Sequence, residues 1–157
     1  MTAPVPEWPF TVRPEWIDYN GHMNMGYYVV AFDVMGTDQF FEWLGVGESY
    51  IARYRMSVFT LSSNNDYLGE MFEGASGMIS TRLLDWDAKR IHFMHEMFND
   101  AGSQVATNEL LSMNVDLESR SGAPFPTDVQ GRLAVLMDAH DAAPRPDWVG
   151  RVMGIRR

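Results

Sequence analysis

The sequence has no cysteine, and of its 12 basic residues only Lys89 is a lysine. Without a thiol, disulfides, thiolate-bound metals and cysteine nucleophiles are all excluded. No apolar run approaches the ~18 residues that cross a bilayer, and the opening MTAPVPEWPF lacks the pattern of a signal peptide, so a cytoplasmic location is expected. Positive charge is scarce as well: 21 acidic residues face those 12 bases, for a net charge of −9. Residues 1–78 hold ten acids and three bases, while residues 79–157 hold eleven and nine. Such a surface has no cation cluster able to displace counterions from a nucleic acid, and an anionic lipid surface is disfavoured for the same reason. Repeats and low-complexity stretches are absent too. A chain of 157 residues is long enough to bury a core as one domain, here residues 1–144. The segment Arg145–Arg157, with four Arg and one Asp, reads as a basic tail expected to pack on the domain or on a partner subunit.

Residues 1–9 carry three prolines and read as an extended lead-in. Phe10–Ile17 alternates partly and contains Pro14, which suits an edge strand with an irregularity. From Asn24 to Leu44 the period lengthens: Tyr28, Phe32, Met35, Phe40 and Trp43 recur at helical spacing, with Asn24 as N-cap and Gly45 and Gly47 at the end. Gly36 is a weak point inside that helix unless another element packs closely on it. The pattern then turns strand-like to about residue 118, with Ser57–Leu61 reaching toward Tyr67, Ser76–Leu84, Lys89–Asn99 and a last strand ending near Leu117. In that last strand Val105, Leu111, Met113 and Val115 alternate with Asn108, Ser112 and Asn114, so the apolar set is expected to face the core. Thr127, as N-cap, opens a terminal helix to about His140 with Val129 and Leu133 inward. The order predicts an α+β fold: an antiparallel sheet of about five strands on one long helix, plus a C-terminal helix. Such a thin layer predicts pairing of two units.

Polar groups concentrate at Asp18-Tyr19-Asn20-Gly21-His22-Met23-Asn24, just before the long helix. Free backbone N–H groups in a helix's first turn can polarise a carbonyl oxygen. A nearby carboxylate can attack the carbonyl carbon or activate water beside it. As a bare pattern, the same residues also fit an ordinary turn and helix cap. His92 and His95 sit three apart and point to opposite faces of a strand, so they cannot share a metal, and no metal is expected. Trp16, Tyr27, Tyr28 and Trp43 are either core or part of a cation–π box for a positively charged group.

Asp-x-x-Gly-His-x-x-x-x-x-Tyr at the mouth of a long helix resembles the hotdog-fold acyl-CoA thioesterases, most nearly the 4-hydroxybenzoyl-CoA thioesterase-like branch. The likeness spans residues 10–118. Within it, Pro14–Asn24, Asp87-Ala88-Lys89-Arg90 and Ala106-Thr107-Asn108-Glu109 are similar to thioesterases of carnitine breakdown, which are thought to act on betainyl-CoA. The resemblance implies that Asp18 is the catalytic carboxylate, as nucleophile or as general base, and that the Met25 amide holds the oxyanion. It implies that His22, Asn24 and Tyr28 shape the pocket and orient the catalytic loop, His22 as a structural hydrogen-bonder. Lys89 and Arg90 fall where the family contacts the nucleotide of CoA, although a solvated hairpin end explains them equally well. No cofactor is implied beyond the CoA of the substrate, and the implied partners are acyl-CoA and a second copy of the chain. One departure stands out: relatives tend to carry Glu or His early in the strand that here reads Thr60-Leu61-Ser62-Ser63-Asn64-Asn65-Asp66. A hydratase or dehydratase that leaves the thioester intact, and a non-catalytic acyl-CoA-binding module, are the alternative expectations.

Overall fold

A computed structural model describes residues 5–157, so the first part of the expected lead-in lies outside the described residues. Six antiparallel strands form one sheet: β1 (Trp8–Thr11), β2 (Met56–Tyr67), β3 (Ser76–Trp86), β4 (Arg90–Asn99), β5 (Gln104–Asp116) and the short β6 (Ser121–Gly122). Their order is β1-β3-β4-β5-β2, with β6 on the end of β5. The long helix runs as α1 (Met25–Ala31), a π-helical stretch (Phe32–Thr37) and α2 (Asp38–Leu44). Behind it follow α3 (Glu48–Tyr54) and, after the sheet, α4 (Thr127–His140). This is the hotdog arrangement.

The helix begins where the Asn24 side chain accepts from the Gly26 N–H at 2.9 Å, and it ends at Gly45, whose φ of +83° a side chain would resist. Its π-helical middle has a local cause. The His95 ring of β4 lies so close to the backbone that a Cβ at Gly36 would sit 3.2 Å from it. Phe32 stacks on the same ring, Thr37 Oγ1 lies 3.0 Å from Nε2, and Thr81 Oγ1 lies 2.8 Å from Nδ1. The insertion resets the buried stripe, which is Tyr28, Ala31 and Phe32 before it and Phe40, Phe41 and Leu44 after it. Two apolar clusters result. One gathers Phe40, Leu44, Tyr50, Phe93 and Leu133, and the other gathers Trp16, Tyr28, Phe32, Ile79 and Met97. Each such side chain contributes roughly 1.5–3 kcal/mol on burial.

Four expectations need correction. The first strand starts at Trp8 and stops at Thr11, because Pro14 opens a 3-10 turn over Pro14–Trp16. Residues 48–54 are helical rather than strand-like, and Tyr50 is buried in the core. In β5 the polar face is the core face between Asn108 and Asn114: Asn108, Ser112 and Asn114 are buried beside Leu110, while Leu111 and Met113 are half-buried on the other side, and of the expected apolar set only Val105 and Val115 are buried. Hydrogen bonds make that tolerable. Tyr50 donates to Asn114 Oδ1 at 2.8 Å, and Asn108 Nδ2 donates to Ser63 Oγ at 2.9 Å and to Asn65 Oδ1 at 2.8 Å. Finally, α4 begins at Thr127 itself, with Pro126 as the capping residue and no side-chain cap.

Burial drives the His95 imidazole down to about 3, so it is neutral in the folded protein at all ordinary pH. An unfolded histidine near 6.5 takes up a proton that the folded one refuses, so stability falls as pH drops from about 6.5 toward 3. By pH 5 this site costs about 2 kcal/mol of unfolding free energy. Urea titrations of wild type and His95→Gln from pH 8 to pH 5 are expected to show that loss in wild type only.

Candidate active site

Asp18 sits on a tight loop whose ends are tied together. Its N–H donates to the His22 carbonyl at 3.1 Å, Gly21 N–H donates back to the Asp18 carbonyl at 3.0 Å, and Ile17 and Met23 form an isolated bridge. Gly21, at φ +81°, makes the reversal possible. Outside bonds then fix the loop: Asn24 N–H donates to the Trp16 carbonyl at 2.9 Å, and Met23 N–H donates to the Met71 carbonyl at 2.8 Å.

Both oxygens of the half-buried Asp18 carboxylate are engaged. Asn20 N–H donates to Oδ1 at 2.8 Å, and Asn24 Nδ2 donates to Oδ2 at 3.2 Å. The same Asn24 amide accepts from Gly26 N–H, and its carbonyl accepts from Tyr27 N–H at 3.0 Å. One side chain therefore ties the carboxylate to the first turn of α1. The Met25 N–H, between these capped groups, has no acceptor among the described residues. Its side chain is 63% exposed.

A cavity of about 320 Å³ opens beside this turn, lined by His22, Met25, Tyr28, Tyr67 and Glu70 among others. His22 donates from Nδ1 to the Met23 carbonyl at 3.1 Å and turns Nε2 toward Glu70 at 3.6 Å. Tyr28 is buried, donates to the Gly69 carbonyl at 2.8 Å, and packs edge-on against Tyr67. Burial raises the Tyr28 hydroxyl above its usual range, so it remains a protonated donor.

Asp18, His22, Asn24, Met25 and Tyr28 thus come together. Lys89 and Arg90 lie elsewhere, at the β3–β4 hairpin. The far end of β2 pairs Tyr67 with Ala106, whereas the Lys89 carbonyl accepts from Asn114 N–H. The strand between Ala106 and Asn114 spans about 26 Å at the usual rise. Arg90 is also engaged: its Nε and Nη2 donate to Asp87 Oδ2 at 2.8 and 2.5 Å, which pulls the Asp87 carboxyl down to about 2. Lys89 stays exposed at the edge of a second cavity. The four expected aromatics do not form one box. Trp16 stacks on Tyr27 at 5.8 Å, but Trp43 packs on Phe40 in the other cluster. His92 and His95 do point to opposite faces, His92 toward Glu109 and His95 into the core. Tyr67 and Glu70 were invisible to motif reasoning, because only the return of the chain at the end of β2 brings them to Tyr28 and His22.

The family model described as the thioesterase-like superfamily matches residues 12–133. A betainyl-CoA thioesterase of Pseudomonas aeruginosa is 36% identical over 92% of this chain and 91% of its own length. An L-carnitine dehydrogenase/betainyl-CoA thioesterase of Rhizobium meliloti is 31% identical over 93% of this chain, which corresponds to 29% of that longer protein. A Staphylococcus aureus protein solved in complex with CoA superposes with a TM-score of 0.91 at 23% identity, covering 99% of this chain and 98% of that one.

The double duty of Asn24 separates two variants. Asn24→Ala removes the helix cap and is expected to lower unfolding free energy by about 1 kcal/mol, whereas Asn24→Ser keeps a capping oxygen, sets no second carboxylate against Asp18 and retains most of that stability. Parallel urea denaturations at neutral pH measure both.

Proposed function

Because this chain belongs to the thioesterase-like superfamily, we propose that its Asp18 turn hydrolyses a small acyl-CoA, betainyl-CoA foremost, to free acid and CoA. The protein is a thioester hydrolase, and the observation that supports this site is the Asn24 bridge. It holds a carboxylate and an unclaimed helix N–H, that of Met25, in one rigid unit. With the thioester carbonyl oxygen against the Met25 N–H, the partial positive charge of the helix start favours the developing oxyanion. Asp18 takes the proton of a water as that water adds to the carbonyl carbon, and collapse of the tetrahedral intermediate expels CoA as its thiolate. In the nucleophilic variant of the step, Asp18 itself adds, CoA leaves, and water hydrolyses the resulting anhydride. His22 and Tyr28 hold the loop and the pocket wall. The betainyl reading draws on the Pseudomonas aeruginosa relative and on a net charge of −9, which favours a cationic acyl group.

On the same reading the enzyme works as a homodimer. Strand β2 forms one edge of the sheet, and it carries Phe59 and Leu61 at 39% and 51% exposure. On the helix beside it, Val30 and Val34 are 41% and 42% exposed. Twofold pairing of two β2 edges covers both surfaces. It also brings the Met56 end of one β2, and with it the Lys89 hairpin, toward the Asp18 end of the other, where Lys89 can meet the phosphates of CoA.

Asp18→Asn is expected to lower kcat for thiol release by about a thousandfold with little change in KM. Unchanged turnover on every acyl-CoA that wild type hydrolyses, or hydration of an enoyl-CoA with its thioester intact, would overturn the reading. Light scattering is expected to return twice the 17.9 kDa chain mass, and Val30→Glu with Leu61→Glu to give an inactive monomer. An active monomer sinks the dimer.

A further inference from the structure

The C-terminal segment does not trail into solvent. Arg82 Nη1 donates to the Pro144 carbonyl at 2.8 Å, and Arg145 Nη2 donates to the Leu84 carbonyl at 2.6 Å, so the chain is pinned where it leaves α4. It then turns through Gly150, at φ +73°, and Gly150 N–H donates to Glu109 Oε2 at 2.8 Å. The other oxygen of Glu109 meets His92 Nε2 at 2.7 Å, and its side chain is only 11% exposed. Beyond the turn, Arg151 pairs with Asp66 of β2.

This strap closes a cavity of about 300 Å³ whose walls include Met25, Asp66, Tyr67, Glu109, Trp148 and Arg151. Met25 and Tyr67 also line the cavity of His22 and Tyr28, so the two spaces share a wall at the start of the helix. The strap cavity thus adjoins, across Met25 and Tyr67, the place where the thioester carbonyl is proposed to sit. Its chemistry is that of a cation receptor: two carboxylates, an indole and a phenol ring. One positive group is already present, the guanidinium of Arg151.

We infer that the cavity under the strap receives the acyl group, and that Arg151 sets specificity by competing with a cationic acyl head for Asp66. This deepens the betainyl-CoA reading and rests on it. An ammonium entering the cavity takes over Asp66, and Arg151 swings out toward solvent, where its 42% exposed side chain is readily hydrated. A neutral acyl group of the same shape has nothing to exchange for the Arg151–Asp66 pair. Asp66 therefore carries the preference for a cationic head, and Arg151, as its competitor, limits how large that preference is.

The test compares betainyl-CoA with 3,3-dimethylbutyryl-CoA, in which carbon replaces the quaternary nitrogen. Thiol release gives kcat/KM for each, and their ratio is taken on one enzyme sample, so any loss of folded protein cancels. Arg151→Gln is expected to raise the betainyl preference about fivefold, and Asp66→Asn to lower it about fivefold, the scale of a partly exposed charge pair. Both substitutions break the same ion pair, so a strap that is merely latched predicts shifts of the same sign. Shifts of the same sign, or no shift, in an enzyme that prefers betainyl-CoA overturn this inference alone. A wild type without that preference overturns it together with the substrate reading.

Discussion

The His95 ring lies flat against the helix backbone because position 36 is glycine, and much of the molecule follows from that contact. A single helix sheathed by a single sheet must approach it closely, and any side chain at that crossing would hold the two layers apart. The π-helical turn is the accommodation: it frees Thr37 to meet Nε2 while Thr81 meets Nδ1, so the buried imidazole carries no unsatisfied nitrogen. With the helix anchored at its middle, its two ends are fixed as well. One end lies among Phe40, Leu44 and the α4 contacts, and the other emerges at Asn24 beside the Asp18 loop. The opposite side of the helix and the β2 edge stay open to a second copy.

What was legible in the sequence was whatever depends on neighbours in the chain. The Asn24 cap, the helix over 24–44 and the Asp18-x-x-Gly21-His22 turn all announce themselves within a few residues. Gly36 was legible as a place of close packing, though nothing local named His95 as the cause. What was missed depends on the far side of the fold. The alternation in β5 was real, but hydropathy chose the wrong face. The partners that make Asn114 acceptable in a core, Tyr50 and the Ala123 carbonyl, belong to segments that meet it only after folding. Tyr50 itself sits on α3, a seven-residue helix too short for its period to stand out from a strand. In the site, the five residues within one turn of chain were found together, and the walls from β2 and the strap were not.

The charge balance reads differently once the arginines are located. Arg82 and Arg145 pin the strap, Arg90 closes its own hairpin on Asp87, Arg132 spans Asp128 and the Leu44 carbonyl, and Arg151 meets Asp66. These cations act inside the molecule, as fasteners of loops and chain ends. A protein of net charge −9 that engages five of its eleven arginines in this way presents little positive surface to a polyanion. In the proposed dimer, the lone lysine sits exposed on a hairpin that the twofold axis carries toward the neighbouring Asp18 loop, which is why it is assigned to CoA.

The same economy bears on the acyl end of the substrate. Carboxylates near a thioester oppose the negative charge that develops on its carbonyl oxygen, so Asp66 and Glu109 are a liability to hydrolysis unless they are neutralised. Arg151 does this for Asp66, while Glu109 is held by His92 and the Gly150 N–H, and a cationic acyl group would take over from Arg151 in the Michaelis complex. A neutral acyl group has to leave Arg151 in place or expose Asp66 unpaired beside the reacting carbonyl. On the proposed reading, selectivity for a positive acyl head and protection of the oxyanion are therefore one electrostatic requirement, assigned to a strap that lies outside the Asp18 motif.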